Sequence, residues 1–193
     1  MSWSTWSAGL SAARRSAFTR TALASVAPFS DDPCRLLRWV NVALVERVGE
    51  SADFVTAACV TYEPRSRLLR LAVAGHHPAL RLASGAELRA QQSGAALGLA
   101  REIGCAASGY RLADGDGVLL YTAGLTEARG ESGRYGVGRL STIVRESAQL
   151  APHDTLELLK RDLKEFASDR LTDDVCLLVL RSEKAVQYNP RGE

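Results

Sequence analysis

The sequence predicts an α+β fold in which helices pack on the faces of antiparallel sheets. Two helical patterns come first, a run of about six strand-length segments follows, and two more helical patterns precede one last strand. Strands grouped together and bracketed by helices are typical of α+β proteins, because each sheet must bury its apolar face against another layer.

Composition limits the classes of protein to which the chain can belong. Its 193 residues predict one domain, residues 1–183, followed by a polar tail at 184–193. The formal net charge is only +2 and the basic residues are scattered, so nucleic acid is not an expected partner. No run of about 20 apolar residues indicates a membrane span. Arg20 interrupts what would be the apolar core of an export signal, so an amphipathic helix is favoured there.

The four cysteines contain no C-x-x-C pair. Cys59 and Cys176 lie in apolar, strand-like runs, where cysteine usually behaves as a small hydrophobic residue. The pattern therefore predicts neither a zinc site nor a disulfide framework, and we expect a reducing, cytoplasmic location.

The first half of the sequence contains clear start and stop signals for helices and strands. Helical spacing predicts a helix over 8–25, ended by Pro28. In the second helix Asp32 can cap the first turn, Pro33 suits that turn, and Gly49 ends the helix. Strand-length segments follow at 54–63, 67–75, 79–84, 86–92, about 105–112 and about 117–122.

The second half begins with a glycine-rich loop at 124–138. Helices are predicted at about 137–149 and 153–168. The last strand, 173–181, is apolar on both faces, which predicts a central position in its sheet.

Two segments of the sequence carry candidate chemistry. In VLLYTAGLTEARG, the buried strand 118–121 ends at the turn Thr122-Ala123-Gly124, and turns at strand ends commonly carry catalytic groups. Alanine at the apex can neither ligate a metal nor move a proton. Asp173 and Asp174 precede the last strand; alone, such a pair is typical of the polar start of a strand.

The order of motifs is more informative than any one of them. A-G-H-x-P-x-L at 74–80, Y-T-x-G-x-x-E-A-R at 121–129, Y-G-x-x-R-L at 135–140 and D-D-x-x-L-L-V-L-R at 173–181 follow one another at characteristic intervals. Together they resemble the stage II sporulation protein E-type branch of the metal-dependent PPM protein phosphatases. The resemblance runs from about residue 7 to residue 181.

The resemblance implies a fold and a mechanism. The fold is two stacked antiparallel β-sheets flanked by helices, with the family's first strands missing from this chain. The mechanism uses two Mn²⁺ or Mg²⁺ ions on carboxylates, and a water bridging the ions attacks a phosphoserine or phosphothreonine. Relatives of this branch often dephosphorylate an anti-anti-sigma factor, which makes such a phosphoprotein the expected partner.

Three aspartates hold the ions in the family, and only one is matched here. Asp173 matches the first residue of the final pair, whereas the aspartate of Y-T-D-G is replaced by Ala123. The early ligand turn aligns with STWSAGLSAA, which puts its ligand position on Ser4. Losing two carboxylates should weaken metal binding severely.

Other residues are candidates for supporting roles. Asp174, Gly124, His76 and Asp116 occupy motif positions, and Asp116 matches a turn aspartate interpreted as structural. For His76 a turn-anchoring role is favoured over acid–base work, and nothing in the sequence places Glu127 near the site. Arg139 is expected to hydrogen-bond locally rather than bind phosphate.

The resulting hypotheses belong to different classes. The first is an enzyme, a protein serine/threonine phosphatase present as a fragment or variant, for which impaired catalysis is favoured over full activity. The second is a non-catalytic pseudophosphatase module that binds a regulator such as an anti-anti-sigma factor, and the third is a remnant without a selected role. Because the family's first strands are absent, a sheet edge near the N-terminus should be exposed. The chain should then form a homodimer, aggregate, or cover that edge with residues 1–8.

Overall fold

The computed structural model describes residues 2–6, 9–48, 54–167, 171 and 173–183, with the side chains of 2–13 and 48 left out. The helices are α1 (Gly9–Val26), α2 (Pro33–Val48), α3 (Ala123–Glu127), α4 (Gly136–Glu146) and α5 (Pro152–Ala167). The strands are β1 (Ser2–Trp6), β2 (Thr56–Glu63), β3 (Leu68–Ala74), β4 (Ala79–Arg81), β5 (Glu87–Leu88), β6 (Ser108–Arg111), β7 (Gly117–Tyr121), β8 (Arg129–Gly130), β9 (Gly133–Arg134) and β10 (Leu177–Arg181).

Two four-stranded antiparallel sheets form the centre of the molecule. The first has the order β1-β2-β3-β6 and the second the order β10-β7-β4-β5, while β8 and β9 form a small hairpin. Buried side chains of both sheets, such as Val60 and Leu71 of the first and Val118 and Leu120 of the second, form one apolar cluster. The sheets are therefore stacked face to face, as the family resemblance implied.

Helices cover the outer face of each sheet. Leu37 and Val40 of α2 belong to the cluster that includes Cys59 of β2. Leu140 of α4 and Leu159 of α5 pack in the cluster that includes Leu119 and Tyr121 of β7. Successive residues of β7 thus alternate between the sheet interface and the helical layer, the two-residue period of a strand buried on both sides.

The predicted helix signals are confirmed in α2. The Asp32 carboxylate Oδ1 accepts hydrogen bonds from the backbone N–H of Cys34 at 2.9 Å and of Arg35 at 3.3 Å. These bonds satisfy two of the amides that a helix start leaves without internal partners. The first helix, α1, is followed by a single 3-10 turn at Ala27–Phe29 that contains Pro28. Of the helices that the structure describes, none is long and apolar enough to cross a membrane.

The predicted central position of the last strand is wrong. In the described part of the chain β10 lies at the outer edge of its sheet, paired with β7 alone, and all five of its residues are only half-buried. An apolar run shows that both faces of a strand meet other groups, but it does not show how many strands lie beside it. The central strand with five buried residues is β7.

The glycine-rich stretch 124–138 is more regular than predicted. It contains most of α3, the β8–β9 hairpin and the start of α4. Elements of two to five residues are too short to show a measurable hydrophobic periodicity in the sequence. The turn residues around them therefore predicted a loop. Of the predicted strand at 86–92, only the two residues of β5 form a strand.

The N-terminal segment is a strand where the resemblance implied a turn. β1 pairs antiparallel with β2, and Ser4 lies opposite Ala58. Residues 2–6 thereby cover the edge of β2, one of the three outcomes expected for that edge. The predicted tail 184–193 lies outside the described residues.

The cysteine prediction is corrected in two respects. Cys34 and Cys105 form a disulfide across 71 residues of sequence, with their Cα atoms 6.0 Å apart, within the usual range for such bonds. Spacing could not reveal this pair, because the fold alone brings α2 to the segment before β6. Cys176 is exposed and precedes β10, whereas Cys59 is buried as predicted, and burial raises the pKa of its thiol to about 12.

Candidate active site

The turn that follows β7 and the segment that precedes β10 lie side by side. The two strands are antiparallel and in a register that places Leu177 opposite Tyr121. Chain direction therefore brings residues 173–176, just before β10, next to residues 122–124, just after β7. The two motifs singled out in the sequence meet at this end of the sheet.

Thr122 connects the two segments. Its side chain is buried, with 1% of the residue exposed. The Thr122 hydroxyl donates to the carbonyl oxygen of Asp174 at 3.1 Å and accepts from the backbone N–H of Cys176 at 2.9 Å. The Thr122 N–H donates in turn to the Cys176 carbonyl at 3.1 Å. These three bonds fix the position of Asp173 and Asp174 relative to the turn at 122–124. Sequence analysis missed this role, although the threonine of the Y-T-x-G motif was its signal.

Gly124 lies directly against the backbone of the aspartate pair. A Cβ built at position 124 would meet the carbonyl oxygen of Asp174 far inside van der Waals distance and would lie 3.1 Å from its carbonyl carbon. Since backbone atoms cannot rotate away as a side-chain end can, the position requires glycine. The glycine of the motif is therefore needed because two backbone segments approach closely there, and its φ angle is one that any residue could adopt.

Ala123, Asp173 and Asp174 form the surface of this site. Ala123 begins α3 and is half-buried, Asp173 is half-buried, and Asp174 is exposed. The Asp173 carboxylate Oδ1 accepts a hydrogen bond from the backbone N–H of Asp174 at 2.9 Å. The residues that matched the final pair and the Y-T-x-G turn are thus brought together, with a methyl group at position 123.

Ser4 lies in the neighbouring sheet. β1, which carries it, packs against β7 as well as pairing with β2. The backbone of Ser4 is therefore near the strand that leads to the site, while its side chain lies outside the described groups.

Asp116 lies at the other end of β7 and has a structural environment. It is 6% exposed, and its carboxylate accepts hydrogen bonds from Arg81 Nε at 2.6 Å, the Gly117 N–H at 2.7 Å and the Ala83 N–H at 3.2 Å. At about 3.3 Å per residue, β7 separates Asp116 from Ala123 by roughly 20 Å. Asp116 therefore stabilises the β6–β7 turn and lies too far away to serve the site.

His76 anchors the turn after β3. It is 9% exposed, and its ring Nδ1 accepts a hydrogen bond from the N–H of His77 at 2.9 Å. Burial, reinforced by the neighbouring His77, lowers the pKa of His76 to about 4, so the ring is neutral at pH 7. The ring of His77 stacks on Tyr121 with centroids 5.8 Å apart, which links this turn to the end of β7.

Glu127 and Arg139 are the remaining candidates. Glu127 is exposed at the end of α3. Arg139 of α4 hydrogen-bonds the Asp162 carboxylate of α5 through two nitrogens, at 2.6 and 2.8 Å, and the Tyr135 hydroxyl donates to the same carboxylate at 2.7 Å. The expected local hydrogen bonding of Arg139 is observed.

The residues of the site do not fit a two-metal centre. Within 2–6, 9–48, 54–167, 171 and 173–183, no group of three or more histidine, cysteine, aspartate or glutamate side chains is close enough to hold an ion. Mn²⁺ and Mg²⁺ prefer several oxygen ligands, and carboxylates supply most of the binding energy. Asp173 provides one such group, and the methyl of Ala123 provides none.

The stacked sheets, the outer helices and the turn beside the aspartate pair define a PP2C-type phosphatase fold. The structure of the SiaA PP2C domain of Pseudomonas aeruginosa matches with a TM-score of 0.80 and 21% identity, covering 93% of this chain and 74% of that one. The RsbU and RsbW domains of a Mycobacterium tuberculosis protein match with a TM-score of 0.71 and 21% identity, covering 94% of this chain and 51% of that one. RsbX in complex with magnesium matches with a TM-score of 0.66 and 14% identity, covering 93% and 79%.

The family model described as stage II sporulation protein E (SpoIIE) matches residues 8–183. The chain therefore belongs to the SpoIIE family. No curated protein sequence matches it.

Proposed function

We propose that this chain is a SpoIIE-type phosphatase domain that has lost efficient hydrolysis and acts by binding a phosphorylatable protein. One observation carries the proposal: the methyl group of Ala123 occupies the turn that packs against Asp173 and Asp174. The scaffold that would present a ligand at this position is intact, while the ligand itself is absent.

The chemistry of hydrolysis explains why this change matters. Two bound divalent ions supply an acidified water and stabilise the attacking and leaving oxygens. Holding two ions close together requires several anionic ligands to offset their mutual repulsion. Removing a group that merely supports a ligand already costs roughly 10–100-fold in affinity or activity. Direct ligands at positions 4 and 123 should matter more, so a chain without them should hydrolyse phosphoesters poorly.

The expected partner is a phosphoserine or phosphothreonine protein, such as an anti-anti-sigma factor. Support comes from the preserved fold and from the likeness to an RsbU-containing protein, of which the chain spans about half the length. Binding needs the surface around the site and no turnover, so the loss of ligands is compatible with it. The competing hypothesis is an active manganese- or magnesium-dependent enzyme.

Two measurements on the purified chain distinguish these functions. Calorimetric titration with Mn²⁺ should show weak or negligible binding, and phosphopeptide hydrolysis should not exceed that of Asp173→Asn. Asp154→Asn, which removes an exposed carboxylate in the first turn of α5, is the matched control. Robust Mn²⁺-dependent turnover that Asp173→Asn abolishes and Asp154→Asn retains would establish the active enzyme instead.

Binding is tested with phosphorylated and unphosphorylated anti-anti-sigma factor by the same calorimetry. The proposal expects association without release of phosphate. If neither form associates with the chain at the concentrations used, the binding function is wrong, whatever the metal titration gives.

A further inference from the structure

One face of α2 holds the segment 92–106 through three side chains. Cys34, Arg38 and Asn41 recur at the spacing of successive helical turns. Arg38 Nη2 donates to the carbonyl oxygen of Cys105 at 2.8 Å, and Cys34 forms the disulfide with Cys105. The Asn41 amide donates to two carbonyl oxygens of the segment, both at 2.9 Å, and accepts from a backbone N–H at 2.8 Å. We call residues 92–106 the clamped segment.

The other side of the clamped segment is bonded to the end of β3. The Gly94 N–H donates to the Val73 carbonyl at 2.7 Å, and the Gly75 N–H donates to the Gly94 carbonyl at 2.8 Å. Gly75 has φ +65°, and a Cβ there would lie 2.9 Å from the Cβ of Ala96. His76 follows immediately. The clamped segment therefore lies between α2 and the turn that carries His76.

The environment of the cysteines favours redox chemistry at this point. Thiolates are the reactive form of cysteine and a nearby cation favours them; Arg38, whose guanidinium bonds the Cys105 carbonyl, is such a cation. The two residues are 3% and 2% exposed, and a cleft of about 370 Å³ lined by Arg38, Ile103 and Gly104 lies next to them in the chain. An oxidant or a reductant therefore reaches the sulfur atoms when the segment opens locally.

We propose that Cys34 and Cys105 form a reversible redox latch that fastens the clamped segment and thereby stiffens the turn at His76. With hydrogen peroxide as oxidant, the Cys34 thiolate attacks one peroxide oxygen, the O–O bond breaks, and one water leaves after protonation. The Cys105 thiol then attacks the resulting sulfenic sulfur and displaces the second water. A dithiol reductant reverses the change, with two electrons and two protons returning to the cysteines. This latch does not depend on the function proposed above.

The bonds from Arg38 and Asn41 do not involve sulfur and persist in the reduced state. Reduction should therefore loosen the clamped segment while the domain stays folded. A cross-link over 71 residues restricts the unfolded chain strongly, so its loss should lower the melting temperature by roughly 5–15 °C. Hydrogen exchange of the backbone amides over 92–106 and 75–77 should become at least roughly tenfold faster in the reduced chain. The disulfide holds the clamped segment, so the backbone hydrogen bonds of these residues should open more often once it is broken.

The first experiment counts thiols in the full chain. After peroxide treatment, alkylation in denaturant should modify two of the four cysteines, and peptide mass spectrometry should find Cys34 joined to Cys105. Reduction should expose all four. Four alkylated cysteines after peroxide, or a bond between other cysteines, would overturn the proposal.

The second experiment compares hydrogen exchange and melting with and without reductant. The parent and Cys176→Ser, which removes an exposed cysteine outside the pair, should both respond to reductant. Cys34→Ser should resemble the reduced parent and show no further response. A response that survives in Cys34→Ser, or unchanged exchange over 92–106 and 75–77 in the reduced parent, would overturn the latch. The parent comparison decides the matter even if a variant fails to fold.

Discussion

Gly124 and Asp174 are in backbone contact, so no side chain fits at position 124 without displacing the aspartate pair. A Cβ there would also lie 3.4 Å from the carbonyl carbon of Asp173. The contact connects the end of one strand with the beginning of its neighbour, and it explains the fixed spacing between the turn and the pair.

Gly124→Ala should therefore destabilise the domain by about 1–3 kcal/mol, the usual cost of forcing an extra group into a packed site. For a chain of this size the melting temperature falls by roughly 2–4 °C per kcal/mol, which thermal unfolding by circular dichroism detects. Gly138→Ala is the matched control, because α4 leaves open space there and alanine favours a helix. Equal melting temperatures for the two variants would contradict the contact.

Ala123→Asp should restore part of the divalent-ion binding. One carboxylate added beside Asp173 gives two anionic ligands, and Mn²⁺ affinity should rise by about tenfold or more in calorimetry. Affinity should weaken as the pH falls, because two neighbouring carboxylates take up protons more easily than one alone. Turnover should appear only when Ser4→Asp is added. Ala24→Asp, which puts the same charge on an exposed position of α1, should change nothing. No gain in affinity from Ala123→Asp would show that position 123 does not serve a metal site.

The sequence predicted the architecture well because its signals were local. The Asp32 cap, the proline at the start of α2 and the apolar run of β7 each depend on neighbours within a few residues. The ordered motifs also predicted that the turn at 122–124 and the pair at 173–174 would lie together. Whether that pair binds metal stays a prediction.

What the sequence could not give depends on distant contacts. The disulfide joins Cys34 to Cys105, and the edge position of β10 follows from which strands lie beside it. Neither the disulfide nor the edge position produces a periodic pattern in the sequence. The bridging role of Thr122 likewise appears only when Asp174 and Cys176 are seen opposite its hydroxyl.

His76 should make stability depend on pH in mildly acidic solution. Its folded pKa is lowered to about 4 by burial, whereas an unfolded histidine titrates near 6.5, so the unfolded chain takes up the proton first as the pH falls. Stability should be fully present above about pH 6.5 and fall by up to about 3 kcal/mol between there and pH 4. Urea unfolding at several pH values measures the slope.

His76→Asn is the informative variant, because its side-chain oxygen can still accept from the His77 N–H but cannot be protonated in this range. The difference in slope between parent and variant isolates His76 from carboxylates that titrate below pH 5. His153→Asn, at an exposed position of α5, is the control. Identical slopes for the parent and His76→Asn would contradict the assignment.

Arg139→Lys should weaken the contact between α4 and α5 and lower the free energy of unfolding. A lysine cannot donate to both oxygens of Asp162, and it loses the stacking of the guanidinium over the Tyr135 and Phe166 rings at 5.4 and 5.0 Å. With Arg139 42% exposed, a loss of about 1–2 kcal/mol is expected after allowance for solvent screening. Arg145→Lys, exposed on the same helix, should be neutral.

The hydrogen bonds from Arg139 hold the pKa of Asp162 below its usual value. The contribution of this pair is therefore present at neutral pH and is lost as the pH falls through the folded pKa of Asp162. Denaturant unfolding of the parent and Arg139→Lys should converge at low pH. A constant difference at every pH would show that lost packing, rather than the ion pair, explains the effect.

The pairing of β10 with β7 joins residues that lie 56 to 64 positions apart in order of synthesis. At roughly 5–20 residues per second, the ribosome makes β7 several seconds before β10 exists. During that interval one edge of the apolar β7 is unpaired, and the turn at 122–124 has no aspartate pair beside it. The site is therefore assembled only after β10 has been synthesised, and nascent chains halted before residue 171 should be prime targets for chaperones and aggregation.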